Sequence, residues 1–249
     1  IWALATSSFA NLVVTIAMSF SVCPFTICKD KLHDFLISIK PIIILGIALI
    51  AAGMVSSGAE LIIQSYFEAT SGLDALGLYR AGYQLSVVYV GMIFTAINND
   101  FYPRLSAISE NLQERNIMIN RQISVLLFFT VPLIAIFIAI LPWIIPLLYS
   151  REFDAIITMT RWASISVIIK SIYLPMEYLP LVTGNSRHYL LMETINWNIM
   201  AICIIIGNEI YGLNGAGIGL LASQIIEVIW VYFFLHKKYD FSFIWRQKE

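Results

Sequence analysis

Lys170 stands near the middle of a long apolar stretch, with Tyr173 three residues on and Glu177 seven residues on. That spacing puts all three on one face of a helix. A charge at bilayer depth costs ~2.5–3.5 kcal/mol on insertion scales, so it faces a cavity or a partner. As a cavity cation Lys170 would hold an anion; as a structural residue it would pair with Glu177 or with an acid on another helix. Arg80, Gln84, Gly91, Thr95 and Asn98 form a second polar stripe at helical spacing. Arg80 offers a planar fork of donors suited to phosphate, or else snorkels to headgroups. Arg161 carries the same two readings. Glu60 and Gln64 share a face at i, i+4; Glu60 could bind a coupling proton or sodium ion, or neutralise Lys170. Gln224 with Glu227, and Glu193 with Asn196, are further polar candidates on the last two stretches. No Asp-x-Asp, His/Asp pair or activated nucleophile stands out, so no catalytic residue is assigned.

The elements that must position these residues are seven apolar stretches, at about 1–28, 41–67, 79–99, 122–149, 157–183, 188–208 and 213–235. Each can cross a hydrocarbon core of ~30 Å, which needs ~20 helical residues. The 249 residues are 59% hydrophobic and 12% charged, with a mean hydropathy of +0.80. A water-soluble domain could not bury that much apolar surface. The expected fold is an all-α, polytopic membrane helix bundle of about seven transmembrane helices.

Charge orients the bundle. Lys29, Lys31, Lys40, Arg104, Arg115, Arg121, Arg187, Lys237, Lys238, Arg246 and Lys248 occupy alternate gaps and the tail after 235. The other gaps hold Glu68, Asp74, Glu152, Asp154 and Glu209 against a single base, Arg151. Positive flanks stay in the cytoplasm, so the basic gaps and the C-terminus are expected there. Spread over membrane flanks, these bases make no nucleic-acid patch.

The first stretch begins at Ile1 and carries Thr6, Ser7, Ser8, Asn11, Thr15, Ser19 and Ser21. It has no basic n-region or cleavage site of a signal peptide. So polar a helix packs on other helices, and its partners are expected upstream. Cys23, Cys28 and Cys203 lack the neighbouring ligands a metal would need. His33, His188 and His236 are isolated at helix ends, where they are expected to meet headgroups. No cofactor or metal is assigned. The segment 102–121 reads either as an amphipathic surface helix or as a solvated continuation of the preceding helix. Pro132, Pro142, Pro146, Pro175 and Pro180 are expected to kink two helices. Gly215, Gly217 and Gly219 allow close helix contact.

Three segments carry a resemblance. Tyr79-Arg80-Ala81-Gly82-Tyr83-Gln84-Leu85-Ser86-Val87-Val88-Tyr89, running through Thr95-Ala96 to Phe101-Tyr102-Pro103-Arg104-Leu105-Ser106, resembles the eighth helix of Wzx-type polysaccharide flippases. Leu147-Leu148-Tyr149-Ser150-Arg151-Glu152-Phe153 is similar to the external turn after the ninth helix of those proteins. Tyr211-Gly212-Leu213-Asn214-Gly215-Ala216-Gly217-Ile218-Gly219 resembles the turn opening the twelfth. These flippases belong to the multidrug/oligosaccharidyl-lipid/polysaccharide exporter superfamily. The resemblance implies that 1–28 is the last helix of an N-terminal lobe, 29–40 a cytoplasmic linker, 41–235 a six-helix C-terminal lobe and 236–249 a cytoplasmic tail. It implies a two-lobed transporter of the bacterial inner membrane that works by alternating access. Its substrate would be an undecaprenyl-pyrophosphate-linked oligosaccharide, as in O-antigen and lipopolysaccharide synthesis.

On that reading Lys170, Arg80, Gln84, Arg161 and Tyr173 are candidate substrate-binding residues. Glu60, Gln64, Glu177 and Glu227 are candidates for ion coupling or charge pairing. The partners are the lipid-linked oligosaccharide, membrane lipids and other polysaccharide assembly proteins, with no nucleic acid. Two alternatives stay open: a cation-coupled drug or metabolite antiporter of the same superfamily, and a membrane-embedded polysaccharide polymerase. The short external gaps weigh against the polymerase, because such enzymes need a sizeable loop or paired acids at one interface.

Overall fold

The computed structural model describes residues 6–7, 9–15, 18, 32–149 and 151–243. Those described between 6 and 18 are helical. Most of the expected helix 1–28, with Cys23 and Cys28, lies outside the described residues, as do 29–31, Arg246 and Lys248. The chain divides into two compact units, Ile1–Ile42 and Ile43–Glu249. The second unit carries nearly all of the other six apolar stretches.

No strand occurs among the described residues. Helix α1 spans Leu32–Tyr83 and is followed by a π-helical turn at Gln84–Val88. Then come α2 (Tyr89–Ala107), α3 (Leu112–Leu148), a 3₁₀ turn (Arg151–Ile156), α4 (Ile157–Val182) and α5 (Ser186–Tyr239). Four helices among the described residues are long and apolar enough to cross a membrane. The difference from the expected count has a geometric cause, because two of them hold a reversal. At Gly72, φ is 83° and ψ 173°, a backbone conformation open to glycine. Beyond it Arg80 donates to Gln64 Oε1 and Phe67 stacks on Tyr79 with ring centroids 4.5 Å apart. Sixteen residues of straight helix would set Gln64 and Arg80 about 24 Å apart. In α5 the reversal lies at Tyr211 and Gly212, where φ is −129° and 59°.

The two arms of α5 meet through glycine. A Cβ on Gly215 would strike the Gly207 carbonyl, and one on Gly219 the Cys203 carbonyl. Backbones packed this closely gain dispersion contacts that lipid tails cannot supply, which is how small residues hold membrane helices together.

Alternate gaps collect at opposite ends of the second unit, as the charge pattern requires. At one end Leu78, Tyr149, Phe153 and Leu213 pack together, and the Tyr66 hydroxyl donates to Glu209 Oε1 at 2.7 Å. At the other end Phe101, Leu105, Ile119, Leu179, Met192 and Leu235 share a core. The segment 102–121 is not a separate surface helix. It forms the end of α2, a turn at 108–110 and the start of α3, whose first turn is capped by the Asn111 side chain accepting from Glu114 N at 3.3 Å. Helices α3 and α4 continue past all five prolines.

The segment after α5 folds back onto α3. Arg115 donates to the Tyr239 carbonyl, Asn116 to that of Asp240 at 3.0 Å and Asn120 to that of Ser242 at 3.0 Å. Phe241 is wholly buried, and Phe243 stacks on Tyr232 at 4.9 Å. The histidines expected at headgroups have protein partners instead. His188 pairs with the Tyr239 hydroxyl at 2.7 Å and His236 with the Phe241 carbonyl at 2.8 Å. The side chain of His33 is outside the described set.

Replacing Gly219 with Leu should therefore disrupt the α5 hairpin, with a cost at or above the ~1–3 kcal/mol usual for overpacking. Gly77→Ala, where a Cβ meets nothing within 4 Å, should leave the monodisperse yield in detergent unchanged. Size-exclusion profiles of the two variants check the contrast; equal yields would contradict the packing.

Candidate functional site

Helical periodicity builds the walls of a cavity of ≈ 270 Å³ inside the second unit. From α4 come Ser166, Lys170, Tyr173 and Glu177, spaced by four, three and four residues. The first arm of α5 supplies Tyr189, Glu193, Asn196, Trp197 and Met200, and the second arm Leu220, Gln224 and Glu227, again at one-turn intervals. Tyr83 and Val87 close it from the end of α1 and the π turn. Tyr178 adds another ring. The α5 hairpin brings Gln224 and Glu227 opposite Glu193, and the glycine contacts set how near they come.

The polar wall is anchored by hydrogen bonds. Glu227, 1% exposed, accepts from Gln224 Nε2 at 2.9 Å. Glu193 Oε2 accepts from Trp197 Nε1 at 2.9 Å, and Asn196 Oδ1 from Trp230 Nε1 at 2.8 Å. Gln224 is only 4% exposed, and its Oε1 has no protein partner. A buried acceptor left open costs ~1–3 kcal/mol, so a ligand hydroxyl or a water donating to it recovers that energy.

Lys170 lies in this cavity with Tyr173 and Glu177, as their helical spacing predicts. Glu193 and Glu227 interact with it electrostatically across the cavity. Among the described residues no carboxylate comes within ion-pair distance of it; the one ion pair there is Arg104–Asp100 at 3.1 Å. The direct pairing of Lys170 with Glu177 or Glu60 is thus not seen. Glu60 instead lines a second cavity of ≈ 330 Å³ with Gln64, Arg80, Gln84, Tyr79 and Val88. In that cavity Arg80 is exposed and donates to Gln64. Arg161 is exposed and lines neither cavity. Of the stripe led by Arg80, the side chains of Thr95 and Asn98 lie outside the described set. Sequence reasoning passed over Trp197, Tyr178, Tyr189 and Met200. Trp197 stands four residues after Glu193 and Tyr189 four before it, a spacing that would have flagged both.

The family described as polysaccharide biosynthesis protein matches residues 1–158, more than half of the chain. The chain belongs to this family. No curated protein and no solved structure matches it. The match to the polysaccharide biosynthesis family takes in the residues of the second cavity that come from α1 and the π turn. Lys170 and the acids of α5 lie beyond it, so for the first cavity the argument rests on geometry. Four tyrosines and a tryptophan set among carboxylates and amides suit a sugar. The C–H faces of a pyranose stack on aromatic rings, and its hydroxyls donate to carboxylate and amide oxygens.

Lys170→Met would leave Glu177, Glu193 and Glu227 without a cation. The melting temperature in detergent should fall only slightly, because no direct buried pair, whose loss costs ~3–5 kcal/mol, is broken. Adding Glu227→Gln should recover part of the loss. A thermal melt of the single and double variants measures both.

Proposed function

We propose that the chain is part of a flippase that carries a lipid-linked oligosaccharide across the bacterial cytoplasmic membrane by alternating access. The observation that carries this reading is a polar, aromatic-lined cavity inside an apolar helix bundle, in a chain of the polysaccharide biosynthesis family. A bilayer-spanning protein gains nothing in stability from four tyrosines, a tryptophan and three carboxylates around a void. They serve a polar cargo that must leave water. On this reading 41–235 is the C-terminal lobe, the tail lies in the cytoplasm, and the protein moves its substrate without chemical change. Lys170 and Arg80 meet the charged parts of the cargo, while the rings hold its sugars. Membrane lipids and other polysaccharide assembly proteins are its neighbours.

A second reading has one specific observation in its favour. Carboxylates outnumber the single ammonium in the first cavity, which also fits a cation-coupled antiporter of the same superfamily. Resistance of expressing cells to cationic drugs, with surface glycan unchanged, would support that reading instead.

In the full-length transporter Lys170→Ala should abolish surface glycan with protein abundance near normal. Lys170→Arg should keep partial activity, since the charge survives and the donor geometry changes. If Lys170→Ala combined with Glu193→Gln or Glu227→Gln restores transport, Lys170 only balances charge and does not bind cargo. Orientation is tested by cysteine labelling. An impermeant thiol reagent applied to intact cells should modify Asp74→Cys and spare Ser242→Cys; the reverse pattern would invert the topology.

A further inference from the structure

The two cavities are separated by very little. Tyr83 and Met200 line both of them. Val87 faces the first cavity and Val88, its neighbour in sequence, the second. This splaying falls in the π turn Gln84–Val88, which starts at the residue after Tyr83. One extra residue per turn rotates the helix face, and such turns sit in α-helices mostly at functional positions. Tyr83 is half-buried and interacts electrostatically with Glu60 of the second cavity and with Glu227 of the first. Behind it the rings of Phe67, Tyr79 and Tyr83 stack in series, at 4.5 and 5.9 Å between centroids. Nothing in the packing of a plain structural helix calls for a π turn between two polar voids.

We infer that the two cavities are successive stations of one passage for the sugar part of the cargo, with Tyr83 and Met200 as the removable partition and the π turn as its hinge. This rests on the transport reading given above. The division of residues fits a sequential route: the station on the Gly72 side holds Arg80 and Gln64, the inner one Lys170, Trp197 and Gln224. An aromatic ring at the boundary offers the same stacking face to a sugar in either station, so a pyranose can pass without losing its apolar contact. Converting the π turn to α-helix would swing the Tyr83 side chain about the helix axis, because closing it removes the extra residue per turn.

The test is accessibility, which needs no knowledge of the substrate. In the full-length transporter without native cysteines, Ser166→Cys reports on the inner station and Gln84→Cys on the other. An impermeant methanethiosulfonate is applied in turn to intact cells and to inverted vesicles. From the face where the Gln84→Cys thiol reacts, Tyr83→Ala should speed modification of the Ser166→Cys thiol several-fold. Tyr83→Trp should slow it, and the Gln84→Cys thiol should react as before. Met200→Ala, which thins the partition from the other wall, should act in the same direction as Tyr83→Ala. Unchanged rates at Ser166→Cys in both alanine variants, with the proteins folded by size exclusion, would overturn the partition. If accessibility changes as expected while surface glycan persists in Lys170→Ala cells, the partition stands and the flippase reading is what fails.

Discussion

Hydrocarbon offers no hydrogen bonds, and nearly every feature of this chain answers that constraint. Backbone groups close on themselves in helices, and polar side chains turn toward one another. Serines and threonines along the helices return their hydroxyls to carbonyls three or four residues back, as Ser86, Ser164, Ser166, Ser171 and Ser223 do. The larger polar groups cannot be absorbed that way. Lys170, Glu177, Glu193, Asn196, Gln224 and Glu227 therefore gather round a shared void, where each faces other polar groups.

Apolar packing decides where that void can be. Ile42, Ile43, Ile44, Ile47 and Ile50 stay exposed along the first part of α1, as lipid-facing residues do. Helix α4 is covered by contrast: half of the most apolar part of Phe153–Val182 is buried, against 17% for that of Ile42–Val88. It runs through the middle of the second unit and carries the cationic wall of the cavity. The α5 hairpin closes against it, with Gly217 resting on the Met159 carbonyl and Trp162. Without glycine at those crossings the acids of α5 would stand further from Lys170, and the electrostatic balance inside the cavity would be lost.

Much of this could be read from sequence because the two strongest signals are one-dimensional. Apolar run length located six stretches that the structure places in helices, and base counts separated the gaps into the two ends that the His188–Tyr239 and Tyr66–Glu209 contacts mark. Periodicity also grouped Lys170, Tyr173 and Glu177 on one face, where they share a cavity. What could not be read was any choice between helices. Whether Lys170 meets Glu60 or Glu193 depends on how α1 and α5 pack on α4, and no spacing within one helix encodes that. Trp197 and Tyr189 carried a usable signal in their four-residue spacing from Glu193, whereas Tyr178 and Met200 carried none, because such residues in an apolar run look the same whether they face lipid or a void. The tightness of the reversal at Gly72 was not legible either, because a glycine in a backbone conformation open to it can turn the chain without a long polar loop.

The return of residues 239–243 to the start of α3 bears on how the protein is made. Arg115 and the Tyr239 carbonyl that it holds are 124 residues apart in the chain. At ribosomal speeds of roughly 5–20 residues per second, α3 waits roughly 6–25 s between its own synthesis and the arrival of that partner. Through that interval the Asn111 cap is the local device that keeps the beginning of α3 wound. This end of the bundle can close only once residues 239–243 have been made, well after the start of α3. Helix α5 supplies Glu193 and Glu227 to the cavity and leads directly into the strap that ties this end shut.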